Sequence, residues 1–417
     1  MAPKLSADAA GRGAMAISIH DGYRHLSVSY RRLSVAARVG LILAVCALVA
    51  IAVMIVVDPN SRTVTPNYII AADNFVSRQN LYNPQLSGGY LYLPTFAVMF
   101  VPITVFGVTI CNLVWRAICL VALWLALARA VRRLNTRSDH LEIVGVALLF
   151  ALFGAADAVR IGQTTTVLLA VTFLAFDAAY DRRFAAAAIW ATLAVIAKPL
   201  GIVVWLLIGG TRPKSLPWLA SFLAMALLAP FAFAEAKYVC FLYTQFIAML
   251  SNVAPEQGRY AEWADFMALV RATGLSLDGR IVDAIRIVAA IVTFIAAFAA
   301  MREKDYLRAS VIPATLACSY MLLFNPRAEL STYILMAIPY GLLAAYMLRE
   351  TRQRIPALAV GAACIGLGTG ILGVRIMHAL NPWSKPLLLI FAIGLCAFAL
   401  LRSREDHEGA QGAPSSV

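Results

Sequence analysis

The sequence predicts an all-α polytopic membrane protein, a single bundle of about 11–12 transmembrane helices. First, 61% of its 417 residues are hydrophobic and only 14% are charged; with a mean hydropathy of +0.78, the chain is far more apolar than a soluble domain. Second, apolar runs recur at the length of about 20 residues that a helix needs to cross about 30 Å of hydrocarbon. Third, these runs differ from the alternating segments of about ten residues that build a transmembrane barrel.

The distribution of positive charge excludes nucleic acid as a partner and favours membrane lipids. The formal net charge is +13, but Lys and Arg occur in short clusters at the ends of apolar runs. Such clusters are typical of topology signals and of contacts with anionic lipid headgroups.

The two termini are predicted to lie in the cytoplasm. Residues 1–35 are polar and basic and lead into a first apolar run at about 39–57, which starts too late and is too long for a cleaved signal peptide. We interpret it as a start-transfer helix with a cytoplasmic N-terminus. Residues 36–403 then form one transmembrane domain, and residues 404–417, rich in Gly, Ser and Ala, form a disordered cytoplasmic tail.

The segment after the first span, residues 58–103, is predicted to be an external loop that carries interfacial helices. The apolar stretch that follows it ends in the basic sequence ARAVRRLNTR. Two full spans would place these arginines outside, against the positive-inside rule. We therefore expect an interfacial helix at 91–102, then one span at about 104–130. The aromatic residues expected at headgroup level are Tyr90, Tyr92 and Phe96.

The run 184–210 is flanked by basic residues at both ends, is too short to cross twice, and contains Lys198-Pro199 at its middle. We interpret it as two half-helices that enter from the cytoplasm and turn at Lys198. One span that ends in a basic outer loop is the alternative. The external loops after the first are 235–279 and 325–331, and the other spans are expected at about 141–159, 164–180, 216–234, 281–300, 308–324, 331–348, 356–377 and 384–402.

This topology brings polar residues from separate loops to the outer face. Charges near membrane depth are energetically unfavourable, so a cluster of them usually marks a substrate pathway or a catalytic site. The cluster comprises Asp58, Asp73, Arg78, Asp157, Arg160, Gln163, Glu256, Arg259, Asn325, Arg327 and Glu329. Lys198 is expected within reach of this cluster.

Four motifs occur in the order found in glycosyltransferase family 87, which the chain resembles over about residues 40–350. They are YIIAADNF…NLYNPQ…GGYLYLPTFAVMFVP, GQTTTVLL, AVIAKPLGIVVWLL and NPRAELSTYILMAIP. The resemblance implies a GT-C type fold and inverting transfer of mannose, or another hexose or pentose, from a polyprenyl-phosphate donor to a lipid or glycan acceptor. It implies the inner membrane of a bacterium, with the active site facing the periplasm. The absence of a Gly-rich phosphate loop agrees with a lipid-linked donor.

The resemblance also suggests roles for individual residues. In families of this fold the general base is an Asp of the first external loop, near the end of the first span, and Asp58 occupies that place. Asp58 precedes Tyr68 by ten residues, a larger separation than in most relatives, so Asp73 is the second candidate. Stabilising the phosphate that leaves requires a fixed cation. The candidates, in order of preference, are Arg327, Lys198, and in reserve Arg160 and Arg259.

The remaining candidates would contact the substrate. Gln163, Asn325 and Glu329 are expected to bind the sugar or the lipid phosphate. The rings of Tyr68, Tyr82 and Tyr92 are expected to stack on sugar or grip lipid. No cofactor is expected, and no spacing of His, Asp and Glu indicates a metal site, although a divalent cation stays possible.

Two other functions are compatible with a polytopic chain. An enzyme of the O-antigen ligase or polymerase type would carry its catalytic residues in a loop of the second half of the chain. A secondary transporter, the less favoured of the two, would show a repeat of broken spans in both halves.

Overall fold

In a computed structural model, which describes residues 33–82, 89–251, 263–325, 328–351, 353–368 and 374–411, the chain is an all-α polytopic membrane protein, as predicted. In chain order the helices are α1 (Val35–Val57), α2 (Thr65–Val76), α3 (Pro94–Thr104), α4 (Gly107–Arg133), α5 (His140–Ile161), α6 (Thr165–Tyr180), α7 (Phe184–Ala197), α8 (Ile202–Thr211), α9 (Leu216–Leu228), α10 (Ala236–Ser251), α11 (Phe266–Ala272), α12 (Gly279–Ala300), α13 (Ile312–Leu323), α14 (Ile334–Glu350), α15 (Arg354–Gly366) and α16 (Val374–Gln411).

Within these ranges, 7 helices are long and apolar enough to cross a membrane. Other predicted spans correspond to shorter apolar helices such as α6, whose 16 residues are mostly buried by neighbouring helices. A helix surrounded by protein does not have to match the hydrocarbon thickness by itself. The number of spans predicted from hydropathy, about 11–12, therefore includes apolar helices that are too short to be counted among these 7.

The bundle has two ends of different character. At one end, which we call the basic end, the backbone N–H and hydroxyl of Ser34 donate to the carboxylate of Glu142, at 2.9 and 2.7 Å, and Arg349 forms an ion pair with Glu142 at 2.6 Å. At the other end of α1, the Asn112 amide donates to the carbonyl of Pro59 at 3.0 Å. We call this second end the first-loop end.

Ion pairs hold α4 and α6 together at the basic end. Asp177 is 2% exposed and accepts from Arg129 at 2.5 Å, from Arg133 at 2.7 Å and from Arg183 at 3.1 Å. The hydroxyl of Tyr306, in the loop before α13, donates to the same carboxylate at 3.0 Å. A hydrogen bond from Arg133 also holds the pKa of Asp181 below its usual range. Three arginines thus share two neighbouring carboxylates.

The helices α1 and α5 cross in close contact. A Cβ atom on Gly40 would overlap the carbonyl oxygen of Gly145, and one on Gly145 would overlap the backbone of Ala37. Small residues at such crossings let helix backbones approach and pack directly in a membrane. The contact fixes the position of α1, and therefore of the loop that begins at Asp58, relative to α5.

The two half-helices predicted for 184–210 are present as α7 and α8. Lys198 is extended (φ −159°, ψ 133°) and ends α7, and a 3-10 turn, Pro199–Gly201, leads into α8. A Cβ atom on Gly201 would overlap the backbone of Ala194, so the chain reverses here. Arg182 and Arg212, which flank the pair, lie close enough to repel each other. The alternative of a single span is therefore wrong.

The predicted short helix before the span of 104–130 is also present. The helix α3 has 11 residues and folds back on α4, since the ring of Phe100 lies 5.3 Å from that of Trp115. Tyr90 and Phe96 are 3% and 5% exposed, so their rings face the protein interior, and their position at headgroup level stays a prediction. They pack against Tyr68 in a hydrophobic cluster beneath the loop.

The last part of the chain departs from the predicted boundaries. The helix α15 ends at Gly366, and α16 begins before the predicted span and continues to Gln411. Residues 378–383, between the last two predicted spans, and residues 404–411 of the predicted tail are therefore helical. Pro382 and Pro386 lie within α16, where neighbouring helices of a membrane bundle can satisfy the backbone groups that proline leaves free.

Candidate functional site

The turn between α5 and α6 meets Glu329, a residue of the late loop (325–331), at the first-loop end. Gly162 ends α5 in the left-handed conformation (φ 74°) and directs the next residue, Gln163, inward. The Gln163 amide donates to the carboxylate of Glu329, and its oxygen accepts from the hydroxyl of Thr165 at 3.0 Å. Two residues far apart in sequence and both predicted as site residues are thus in direct contact.

The first loop reaches the same place through two tyrosines. The hydroxyls of Tyr68 and Tyr92 lie 3.1 Å apart, and Tyr92 is close to Thr164 and to the carboxylate of Glu329. Burial raises the pKa of Tyr92 to about 12 and that of Tyr68 well above its usual value, so both hydroxyls stay neutral at physiological pH. We call the meeting point the three-loop junction; its members are Tyr68, Tyr92, Gln163 and Glu329.

Two of the predicted aromatic contacts are part of the core of the first loop. Tyr68 is 1% exposed and packs edge-on against Phe96, with 5.2 Å between ring centroids. Tyr82 is 6% exposed, and its hydroxyl donates to the carbonyl of Tyr92 at 2.8 Å. These positions favour a supporting role. Tyr92 is partly exposed, and contact of the three rings with substrate stays a prediction.

Asp58 combines a fixed backbone with an exposed carboxylate. Its N–H donates to the carbonyl of Met54 at 2.9 Å, which ends α1, and its carboxylate accepts only from the N–H of Asn60, at 3.3 Å, among the residues that the structure describes. The next residue, Pro59, is held by Asn112. Asp73 is exposed on α2, opposite the buried face of that helix, and has no ion pair within the described ranges.

Sequence reasoning missed Arg116, a residue of α4 that is 4% exposed. Its guanidinium donates to the Asn112 side chain at 2.7 Å, to the Thr63 hydroxyl at 3.1 Å and to the Arg160 carbonyl at 2.5 Å. In the part of the chain described, no carboxylate pairs with it. Arg116 therefore joins the beginning of the first loop to the end of α5. The available signal was an isolated Arg in the apolar run CNLVWRAICL, since a charge within a span is rarely incidental.

The structure describes some of the predicted phosphate-binding cations and not others. Lys198 is half-buried at the turn between α7 and α8, and the half-buried Arg160 contributes its carbonyl to Arg116. Asn325 follows α13 and is partly buried. Arg327, Glu256 and Arg259 lie outside the described residues, so their predicted roles stay predictions.

The sequence model of one family, glycosyltransferase family 87, matches residues 90–326. The match covers more than half of the chain, from the end of the first loop to the beginning of the late loop. Asp58, Asp73 and Glu329 lie outside it. The contact with Gln163 places Glu329 at the three-loop junction, whereas the roles of Asp58 and Asp73 stay predictions. No curated protein and no solved structure matches the chain.

Proposed function

Because the chain belongs to glycosyltransferase family 87 and is a membrane glycosyltransferase, we propose that it transfers a sugar from a polyprenyl-phosphate donor to a lipid or glycan acceptor. The sugar is mannose or another hexose or pentose. The observation that carries the proposal is the three-loop junction, where the first loop, the turn between α5 and α6 and the late loop converge at one end of a membrane bundle.

The proposed reaction is a single inverting displacement. The acceptor oxygen forms a bond with the anomeric carbon, the bond from that carbon to the phosphate oxygen breaks, and polyprenyl phosphate leaves. The carboxylate of Asp58 takes the proton of the acceptor hydroxyl. An exposed carboxylate on a fixed helix end supports this assignment, and general-base catalysis contributes about 10²–10⁴-fold in rate. Asp73 is the second candidate.

Cations and neutral polar groups complete the proposed site. The negative charge that develops on the phosphate is stabilised by Arg327, by Lys198 or, in reserve, by Arg160. Gln163, Asn325 and Glu329 bind sugar hydroxyls or the lipid phosphate, and Tyr92 lines the site. No cofactor is proposed.

The proposed location is the inner membrane of a bacterium, with the first-loop end facing the periplasm. The arginines of the basic end support this orientation because Lys and Arg are enriched on the cytoplasmic side of membrane proteins. Within the described ranges they include Arg129, Arg132, Arg133, Arg137, Arg182, Arg183 and Arg349.

The direct test is an assay of the purified full-length protein with a panel of polyprenyl-phosphate sugars and, in parallel, the corresponding nucleotide sugars. We expect transfer from at least one lipid-linked donor, with inversion at the anomeric carbon, and none from nucleotide sugars. Transfer from a nucleotide sugar alone would contradict the proposed donor, and retention of configuration would contradict the single displacement.

A further inference from the structure

A buried lysine lies at the first-loop end outside the three-loop junction. Lys385, near the beginning of the candidate span Leu380–Arg402 of α16, is 3% exposed. Its ammonium is 3.4 Å from the carbonyl of Leu330 and 5.5 Å from the ring centroid of Tyr333. A charged side chain buried within a membrane span is energetically unfavourable unless it is compensated, and such residues usually mark a functional site.

The protein itself compensates this charge only in part. Asp157 of α5 is half-buried and attracts the Lys385 ammonium electrostatically, but the two form no ion pair in the described part of the chain. One weak carbonyl contact and one ring contact leave donor capacity on an ammonium that has three N–H groups. Lys385 therefore has N–H groups available to bind an anion.

Two buried hydroxyls belong to the residues that precede the lysine and its ring contact in sequence. The Oγ of Ser384 and the Oγ1 of Thr332 are both buried and lack a hydrogen-bond partner among the described residues. Ser384 precedes Lys385, and Thr332 precedes Tyr333, on which the ammonium lies. Buried polar atoms nearly always have a partner, so each such exception calls for an explanation. An ammonium and neutral hydroxyl donors suit a phosphate group when they reach the same ligand.

The position of Lys385 along α16 favours a lipid phosphate over a free one. Lys385 lies near one end of the candidate span Leu380–Arg402, where a helix that crosses a membrane meets the lipid headgroups. Leu387, Ile390 and Phe391, on the opposite face of α16, are 47%, 38% and 49% exposed, so the helix also has an apolar surface for hydrocarbon chains. A phosphate at Lys385 would thus lie at the depth of lipid phosphates.

We propose that Lys385, with the hydroxyls of Ser384 and Thr332, binds the phosphate of a polyprenyl phosphate. The site deepens the proposed function and rests on it, because this phosphate belongs to the donor before transfer and to the product after it. It supplies a cation on α16 in addition to those that the sequence predicted.

The test measures binding of a radiolabelled polyprenyl monophosphate to the full-length protein in detergent micelles, with the uncharged polyprenol and inorganic phosphate as competitors. We expect polyprenyl phosphate to compete and both competitors to be far weaker. Lys385→Met should weaken binding by at least about tenfold, whereas Lys385→Arg should retain most of it, since Arg also binds phosphate. Lys304→Met, which changes an exposed lysine at the basic end, is the matched control and should bind like the wild type.

Several results would overturn the site. They are unchanged binding by Lys385→Met, equal competition by polyprenol, equal competition by inorganic phosphate, and absence of binding by the wild type. Asp157→Asn provides an independent test, because removing a competing anion should raise the affinity for polyprenyl phosphate; a lower affinity would contradict the proposal even if Lys385→Met did not fold.

Failure of the site and failure of the proposed function give different results. If polyprenyl phosphate binds through Lys385 but no polyprenyl-phosphate sugar is a donor, the proposed function fails and the phosphate site stands. If the wild type transfers sugar and Lys385→Met has an unchanged KM for the donor, the proposed function stands and the site fails.

Discussion

Several charged residues at the two ends of the bundle differ in how the protein compensates them. At the basic end, Asp177 is bound by arginines of α4 and of the turn after α6. At the first-loop end, Arg116 binds carbonyls and hydroxyls, the Lys385 ammonium lies on a ring, and the carboxylate of Asp58 is exposed. These three have no ion-pair partner within the described ranges.

Under the proposed function, this difference distinguishes charges that stabilise the fold from charges that are available to a substrate. A buried charge that is paired within the protein contributes to folding, and removing its partner leaves the other charge uncompensated. A charge without a protein partner remains available to a substrate. The clustering of polar residues is therefore a weaker indication of a site than the absence of ion pairs among them, and only the three-dimensional structure reveals the pairing.

The largest effect on folding is expected for Asp177→Ala at the basic end. The change leaves Arg129, Arg133 and Arg183 without their shared buried acceptor, so we expect it to lower the free energy of unfolding by about 3–5 kcal/mol. Thermal unfolding of the protein in detergent measures the loss. Asp283→Asn is the matched control, because Asp283 pairs with Arg286 at the surface, where such pairs contribute about 0–1 kcal/mol.

The claim that the charges of the basic end are structural would be contradicted if the Asp177→Ala protein unfolded like the wild type but had lost sugar transfer. That result would place a functional carboxylate at the basic end.

Two glutamine substitutions, one at each end of the bundle, test the same comparison and should have smaller effects. Gln163 donates to Glu329 at the first-loop end, and Gln353 donates to the carbonyl of Ala399 at the basic end, at 2.8 Å. We expect Gln163→Ala to lower the rate of sugar transfer by about 100-fold, the effect of misplacing a substrate-positioning group. Gln353→Ala should leave the rate unchanged and reduce the free energy of unfolding by about 1 kcal/mol. Equal effects of the two changes on the rate of sugar transfer would contradict the distinction between the first-loop end and the basic end.

Features set by local sequence were predictable. The flanking arginines identified the reversal between α7 and α8, and the basic sequence after α4 identified α3 as a separate short helix. Both arguments use charges adjacent in sequence to the segment concerned. Gln163 and Glu329 were recognisable as polar residues between apolar runs, and they are in contact; their roles as site residues stay predictions.

Features that depend on contacts between distant segments were not predictable. Arg116 is buried through partners on the first loop and at the end of α5, and Tyr90 is buried by rings of separate helices. The segment between the last two predicted spans, 378–383, is helical although it contains Pro382, because a helix in a membrane bundle tolerates proline where neighbours satisfy the backbone. Lys385 was predicted only as the beginning of the last span, and its burial was not predictable.

The most direct test of the central claim, that catalysis occurs at the first-loop end with Asp58 as the general base, is the rate of sugar transfer by Asp58→Asn. We expect a rate at least about 100-fold below that of the wild type, an unchanged unfolding temperature because Asp58 is exposed, and near-normal activity of the matched variant Asp73→Asn. Full activity of Asp58→Asn would contradict the claim.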